Sequence, residues 1–247
     1  MRTVFHATQL TPGARISQLS RTSVAHVSYE AVLRGVSGQQ VLDAHSGAEL
    51  AAAYGLPVPP SAVVATAGDA VAVADELRYP VVLKRVAPGV VHKSDEGGVA
   101  LRLGDRAAVQ DAFDRIVEVG ERAFVQRMMP AGLEVIVGAQ RDPQFGPLVM
   151  FGLGGVYVEV FEDVAFRLAP LSESDARAMV LETAAGKLLQ GVRGKPPRDL
   201  DAVVDAIRRV GQLMSDVPEI SEIDLNPLMV GKEGAGAWAV DVRVILG

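Results

Sequence analysis

The sequence predicts a globular protein of mixed helices and strands in two small lobes, and three observations support this prediction. The chain has 247 residues and a mass of 26.0 kDa, enough for a sizeable core and for more than one compact unit. Hydrophobic residues make up 49% and charged residues 22%, a balance typical of globular proteins. Segments with helical and with strand periodicity alternate from Val41 onward, and no apolar run is long enough to predict a membrane span.

Residues 1–39 differ from the rest of the chain. Four arginines stand against a single acid, Glu30, and Ser and Thr are frequent without an apolar period. The composition is similar to that of a transit peptide, but the apolar region of a secretory signal is absent. We predict a weakly structured leader here and assign no function to it.

Three elements follow the leader. The helical spacing of VLDAHSGAELAAAYG predicts a helix over 41–55, and the three prolines that follow cannot continue it. A short strand is predicted at 62–65. Asp69 is a favourable first residue for the next helix, which we predict to end at Leu77.

The next elements enclose a glycine-rich turn. After Pro80, the apolar run VVLK predicts a strand, and beyond the turn ALRL predicts another. Asp105 is expected to cap a helix that continues to about Val119. The first half therefore consists of two helix–strand units, a hairpin and a helix.

The second half is predicted to contain strands, then helices, then two final strands. Ser172 with Asp175 resembles a capping box at the start of a helix ending near Gly186, and Asp199 begins another that runs to about Met214. The predicted strands are 123–129, 133–142, 147–155, 156–170, 222–230 and 237–246.

Charge and cysteine content exclude several classes of function. The net charge of −6 argues against sequence-independent binding of nucleic acid, which normally requires a basic face. The chain has no cysteine, which excludes disulfides, thiolate catalysis and cysteine-ligated zinc, and the expected location is the cytoplasm. Its four histidines form no H-x-x-x-H pair for a metal.

The glycine-rich hairpin is the strongest functional signal in the first half. Lys84 ends an apolar strand, and the turn beyond it contains His92, Lys93 and the pair Gly97 and Gly98. Glycine turns can direct several backbone N–H groups at phosphate oxygens, and lysines add positive charge. Histidine adds a group that can be a neutral nucleophile near neutral pH. We predict a phosphate-binding hairpin, which is not a Walker A loop because that motif is absent.

Oxygen-bearing side chains fall in the last two strands. Asp224 and Asn226 alternate on one face of a strand, and a facing strand would bring Asp241 near them. Such ligands suit Mg²⁺, which takes one or two carboxylates and leaves its other positions to water and substrate phosphates. Alternatively, Asp224 and Asn226 only begin a turn at Pro227. The residues alone leave both interpretations open.

From about Val41 to its end, the chain resembles the ATP-grasp β subunits, or fused ATP-grasp domains, of ADP-forming acyl-CoA synthetases, which are relatives of succinyl-CoA synthetase. The resemblance stops before residue 40. The matching stretches occur in the family's order: AYGLPV, PVVLK, VVHKSDEGGVAL, FVQRMMPAGLEVIVGAQRDPQFGPLVMFGLGGVYVEVFEDVAFRLAPL, KLLQGVRGKPP, EIDLNPLMV and AVDVR.

This resemblance implies an α+β structure, the ATP-grasp fold, in which two lobes clamp a nucleotide. Residues 40–125 would form the N-terminal lobe with the phosphate loop, and residues 126–247 the C-terminal lobe with the magnesium site. The implied cofactors are ATP or ADP and Mg²⁺. His92 is the implied phosphate carrier, and Asn226 and Asp241 are the implied metal ligands. The implied nucleotide contacts are Lys84, Lys93, Gly97, Gly98, Gln126, Met128, Met129 and Glu134.

The implied function is that of the nucleotide-binding subunit of an ADP-forming acid–CoA ligase, such as an acetate–CoA ligase, with phosphate passing between a phosphohistidine and ADP. A partner subunit would bind CoA. Two alternatives are a non-catalytic ATP-sensing subunit and an ATP-grasp carboxylate ligase that acts alone. The presence of His92 argues against the sensor, and the HKSDEGGV and GLGG blocks argue against the second alternative.

Overall fold

The computed structural model describes residues 29–35, 41–86, 98–154, 163–192 and 194–247. The helices in these ranges are α1 (Tyr29–Gly35), α2 (Ala44–Ala53), α3 (Ala67–Leu77), α4 (Arg106–Ile116), α5 (Glu173–Leu181), α6 (Ala184–Leu189) and α7 (Leu200–Asp216). The strands are β1 (Ser61–Val64), β2 (Val81–Val86), β3 (Val99–Leu103), β4 (Arg122–Arg127), β5 (Leu133–Asp142), β6 (Gly146–Leu153), β7 (Val164–Leu168), β8 (Ile220–Val230), β9 (Ala237–Ala239) and β10 (Val242–Leu246).

Two antiparallel sheets organise these elements. The smaller sheet has the strand order β1-β4-β2-β3, and the larger has the order β10-β8-β5-β6-β7 with β9 alongside β8. Apolar side chains of α3 and α4 pack on one face of the smaller sheet. Those of α5 and α7 pack on one face of the larger sheet. Sheets with helices on one face confirm the predicted α+β class.

Short polar side chains begin several helices where the sequence predicted them. Asp105 and Asp199 accept hydrogen bonds from the backbone N–H groups of Ala108 and Ala202, at 2.9 and 3.0 Å. The capping box of Ser172 and Asp175 is also confirmed. Each capping hydrogen bond joins residues three positions apart, so it can be predicted from the local sequence without knowledge of the tertiary structure.

Two helix predictions were wrong in detail. Thr66, not Asp69, caps α3, because Thr66 Oγ1 accepts from the Asp69 backbone N–H at 3.1 Å and donates to Asp69 Oδ2 at 2.7 Å. The helix predicted to end near Gly186 is two helices, since Thr183 begins α6 by accepting from the Gly186 N–H at 3.1 Å. A Cβ on Gly186 would lie 2.1 Å from the Val180 carbonyl oxygen, so only glycine permits this close approach.

Close packing of backbones explains two glycines of the GLGG block. A Cβ on Gly154 would lie 3.0–3.1 Å from backbone atoms of Glu134 and Val135, and one on Gly152 would lie 2.8 Å from Val164 Cγ1. The Gly154 N–H also donates to the Glu134 carbonyl at 3.0 Å. These two glycines therefore serve the packing of strands, while Gly155 lies outside the described residues.

Helix α2 packs against both sheets. Its Leu50 and Ala51 are fully buried in the core of the larger sheet. Ala44 and Ala48, on another side of the helix, pack with Phe124 of the smaller sheet. Helix α2 is therefore a physical link between the two sheets on the side where they face each other.

Part of the predicted leader is helical. Val32 of α1 belongs to the core of the larger sheet, and the rings of Tyr29 and Tyr54 are 5.8 Å apart. Residues 1–28 and 36–40 lie outside the described residues. The smaller sheet also continues past the predicted lobe boundary, because β4 ends at Arg127. The bounds of the leader and of the two lobes stay a prediction.

Among the described residues, no helix is both long enough and apolar enough to span a bilayer.

Candidate functional site

Lys84 projects from the smaller sheet toward the larger one. Val81 and Leu83 of β2 belong to the core beneath α3 and α4, so strand alternation turns Lys84 to the opposite face. Its Nζ donates to the Val240 carbonyl at 2.8 Å and to Asp241 Oδ1 at 3.1 Å. Lys84 is only 8% exposed, so its charge is held at this one place.

The partner of Lys84 remains open to solvent. The side chain of Asp241 is 52% exposed, whereas that of Lys84 is 10% exposed. The pair is therefore buried at its ammonium and open at its carboxylate. The carboxylate is accessible to a cation, and a phosphate at this opening would give the buried ammonium a counter-charge in place of Asp241.

A short linker joins β4 to β5. Gln126 is 3% exposed, and β4 pairs it with Ser61 of β1 and Val82 of β2. The N–H of Arg127 donates to the Pro60 carbonyl at 2.9 Å, and that of Met128 donates to the Pro80 carbonyl at 3.1 Å. These contacts fix the start of the linker and engage both N–H groups.

A cavity of about 540 Å³ opens beside this linker. Two of the predicted nucleotide contacts, Met128 and Met129, lie in its wall together with Tyr79, Pro80 and Trp238. Mostly apolar walls of this kind are typical of sites for flat organic groups. Glu134, in β5 just beyond the linker, is exposed, and its cross-strand partner is Met229.

The two predicted metal ligands are neighbours in the larger sheet. Val242 of β10 pairs with Leu225 of β8, so Asp241 comes opposite Asn226. The Asn226 N–H donates to the Asp241 carbonyl at 3.3 Å, and both side chains are exposed. Strands β9 and β10, predicted as one, divide at Val240 and Asp241, the two residues that Lys84 contacts.

Asp224 precedes Asn226 by two residues in β8, and it is more buried than Asn226 and Asp241. Burial raises the pKa of Asp224 to about 6; Arg243 lowers this pKa, and Glu222 and Asp241 raise it. Within the described residues, the buried Oδ1 of Asp224 has no hydrogen-bond partner. The cross-strand neighbour of Asp224 in β10 is Arg243.

These oxygens fit Mg²⁺ held jointly with phosphates. The part of the chain that the structure describes contains no group of three or more His, Cys, Asp or Glu residues suited to hold a metal alone. Asn226 and Asp241 offer two side-chain oxygens, and Mg²⁺ commonly takes one or two protein ligands while water and phosphates complete its shell. The unpartnered carboxylate oxygen of Asp224 adds negative potential nearby.

The remaining predicted contacts of the phosphate loop fall in different places. The Gly98 carbonyl accepts a hydrogen bond from the Arg85 N–H at 2.8 Å, next to the point where β3 begins. His92, Lys93 and Gly97 lie outside the described residues. The roles assigned to them, and to the other site residues, stay predictions.

Sequence reasoning did not identify Trp238 and Val240 as part of this site. Trp238 is the single tryptophan of the chain and stands between two alanines in a strand-like run, a pattern that could have indicated an indole facing away from the core. Val240 contributes its backbone carbonyl, which carries no signal in the sequence.

The raised pKa of Asp224 predicts a pH-dependent stability. The folded protein favours the protonated carboxyl, so this contribution to stability is present below about pH 4 and is lost as the pH rises through 6. Relative to the Asp224→Asn variant, the wild type should lose about 2 kcal/mol of unfolding free energy between pH 4 and pH 7. Urea unfolding in EDTA at several pH values measures this difference. If the unfolding free energy of the two proteins changed equally with pH, the prediction would be contradicted.

Comparison with characterised proteins gives the family. A family model described as ATP-grasp domain matches residues 35–246. The β subunit of ADP-forming acetate–CoA ligase I from Pyrococcus furiosus is 43% identical over 207 residues, which cover 80% of this chain and 88% of that subunit. The ADP-forming acetate–CoA ligase I of Archaeoglobus fulgidus is 44% identical over 219 residues, which cover 85% of this chain and 32% of that protein. The chain thus spans about a third of the Archaeoglobus protein.

Solved structures show the same fold. Acetyl-coenzyme A synthetase 1 of Ca. Korarchaeum cryptofilum, solved with coenzyme A, Ca-AMPCP and HgCl⁺, is 42% identical with a TM-score of 0.84, over 89% of this chain and 100% of that chain. A second structure of that synthetase contains Mg-AMPPCP and a phosphohistidine segment pointing towards its nucleotide-binding site. It has a TM-score of 0.78 at 42% identity and covers the same shares. These matches confirm the predicted ATP-grasp fold.

Proposed function

The chain belongs to the ATP-grasp domain family, together with the β subunits of ADP-forming acetate–CoA ligases, and from this premise we propose that it is the nucleotide-binding subunit of an ADP-forming acid–CoA ligase. The reaction would be acyl-CoA + ADP + phosphate ⇌ acid + CoA + ATP. The observation that carries the proposal is the convergence of Lys84 from one sheet with Asp241 from the other, at 3.1 Å.

The proposed chemistry of this chain is the last phosphoryl transfer. The bond between phosphorus and a histidine nitrogen breaks, a bond from phosphorus to a terminal oxygen of ADP forms, and ATP leaves. Charge in the loose transition state spreads over three oxygens, so catalysis depends on cations and on positioning. We propose that Lys84 neutralises part of this charge and that Asn226 and Asp241 would hold Mg²⁺, which supplies further positive charge when bound.

His92 is the proposed carrier of the phosphate. It lies between Lys84 and Gly98, in a glycine-rich stretch that also contains Lys93. The phosphohistidine segment of the Korarchaeum synthetase, which points towards the nucleotide site of that protein, supports a carrier of this kind. A carrier on a loop can approach two sites in turn, which a residue in a rigid strand cannot do.

The sites for CoA and for the acid are proposed to lie on a partner subunit. The chain matches a separate β subunit over most of its length, but only about a third of a protein in which the activity is carried by one polypeptide. The other two thirds of the Archaeoglobus protein are proposed to correspond to the part that binds CoA and selects the acid. We propose the cytoplasm as the compartment, because the proposed reaction uses ADP and acyl-CoA and releases ATP and CoA.

Calorimetric titration of the full chain with ADP in Mg²⁺ tests the proposal. We expect saturable binding of ADP to the wild type. The Lys84→Met variant should bind about 10- to 100-fold more weakly, because a charged hydrogen-bond donor to phosphate is lost while the volume is kept. Lys232→Met removes an exposed lysine from the turn after β8 and should bind as the wild type does. Absence of ADP binding by the wild type would overturn the proposed function.

A further inference from the structure

We propose that Trp238 is the residue that holds the base of the nucleotide, by stacking on it in the cavity beside the β4–β5 linker. This inference rests on the proposed function and deepens it. It adds to the implied nucleotide contacts a residue that the resemblance does not name, and it makes stacking, not hydrogen bonding by the first linker N–H groups, the main source of affinity for the base.

The strand places the indole at the cavity. Ala237 and Ala239 of β9 are 2% and 1% exposed and belong to the core of the larger sheet. Strand alternation therefore turns Trp238 to the opposite face, where it is half-buried and forms part of the cavity wall. The burial of Ala237 and Ala239 in the core therefore fixes the direction in which the Trp238 side chain points.

The cross-strand partner of Trp238 connects it to the linker. Met229 of β8 pairs with Trp238, and the Met229 sulfur accepts a hydrogen bond from the Gly132 N–H at 3.1 Å. A Cβ on Gly132 would lie 2.3 Å from the Val230 carbonyl oxygen, so the linker lies close against β8 here. The wall that contains Trp238 and the linker therefore form one packed unit.

The distance to the phosphate-binding lysine suits a nucleotide. The Val240 carbonyl receives Lys84 Nζ at 2.8 Å and lies two residues beyond Trp238. Val240 directly follows β9, and two residues span at most about 7 Å, so the Trp238 backbone lies within that distance of the group that holds Lys84. A ribose and an α-phosphate can bridge a separation of this size, so one nucleotide can stack on Trp238 while a terminal phosphate reaches Lys84.

The chemistry of the walls favours stacking. Pro80, Met128 and Met129 are apolar, and methionine sulfur packs well against aromatic rings. The N–H groups of Arg127 and Met128 already donate to the carbonyls of Pro60 and Pro80, so neither is available to donate a hydrogen bond to the base. A purine offers a larger face to an indole than a pyrimidine does. The site should therefore prefer purine over pyrimidine nucleotides.

Nucleotide binding by Trp238 variants tests the inference, with the full chain and calorimetry in Mg²⁺. Trp238→Leu should bind ADP about 10-fold more weakly, and Trp238→Phe should regain most of this loss, because a smaller aromatic ring still stacks. Pyrophosphate, which has no base, should bind the wild type and both variants equally. Phe145→Leu removes an aromatic ring that is 68% exposed in the β5–β6 turn and should bind ADP as the wild type does.

The outcomes separate this inference from the proposed function. Because Trp238 is the single tryptophan, ADP should change the tryptophan emission of the wild type in a saturable way, and pyrophosphate should change it much less. If the wild type binds ADP but Trp238→Leu binds it equally well, or loses pyrophosphate binding to the same degree, the stacking inference is overturned. Failure of the wild type to bind ADP would instead overturn the proposed function itself.

Discussion

The His92→Ala variant, assembled with the CoA-binding partner, is expected to lose acid- and CoA-dependent ATP formation completely, while its affinity for ADP stays within a few fold of the wild type. The physical reason is that the change removes the proposed covalent carrier and leaves the proposed nucleotide-binding groups in place. Lys84, Asp241 and the residues that line the cavity all lie outside the segment 87–97 that contains His92. Turnover of the assembled enzyme and calorimetry with ADP measure the two quantities.

The phosphorylation state of the partner is a second readout, which identifies the step at which the His92→Ala enzyme stops. With the carrier removed, the partner should remain phosphorylated, with a label that is labile to acid and stable to base, as phosphohistidine is. His45→Ala is the matched control, because His45 is a half-exposed histidine of α2 that contacts Glu49 at 3.6 Å. Turnover by His92→Ala near the wild-type rate would refute the carrier role, and phosphate would then pass directly from the partner to ADP.

The Asp241→Ala variant is expected to lose about 10- to 100-fold in affinity for ADP in Mg²⁺ but to lose little or nothing in EDTA. In Mg²⁺ the change would remove one of the two proposed protein ligands of an ion whose other positions go to water and phosphates. In EDTA no metal contact is lost, and Lys84 Nζ keeps its charge and its bond to the Val240 carbonyl at 2.8 Å after losing the contact with Asp241 Oδ1 at 3.1 Å. Calorimetric titrations of both proteins give the ratio of wild-type to variant affinity for ADP in each buffer.

An exposed carboxylate that does not line the cavity serves as the control for this change. Asp201→Ala removes a side chain that contacts Arg177 on the surface, and it should leave the affinity for ADP unchanged in both buffers. An equal loss of ADP affinity by Asp241→Ala in Mg²⁺ and in EDTA would refute a metal role for Asp241. That result would point instead to a role confined to positioning Lys84.

Elements with strong local signals could be predicted closely. A helix cap needs one side-chain oxygen and a backbone N–H three residues away, so Asp105, Asp199 and Ser172 identified three helix starts. The errors also have local causes. Thr66 and Asp69 are both good capping residues, and the spacing alone did not show which one accepts the first N–H. The break before α6 depends on the contact of Gly186 with Val180, which a periodic pattern does not show.

Residue types and spacing, together with the family resemblance, by themselves determined the ATP-grasp fold, the order of its elements and the candidate lysine and metal ligands. Only the tertiary structure decided how these residues meet. Lys84 contacts residues 156 and 157 positions away in the chain, one of them through a backbone carbonyl. The raised pKa of Asp224 and the placement of Trp238 in a cavity depend on burial by several distant strands. Such properties arise because the two sheets are folded against each other, and a pattern along the chain does not contain that information.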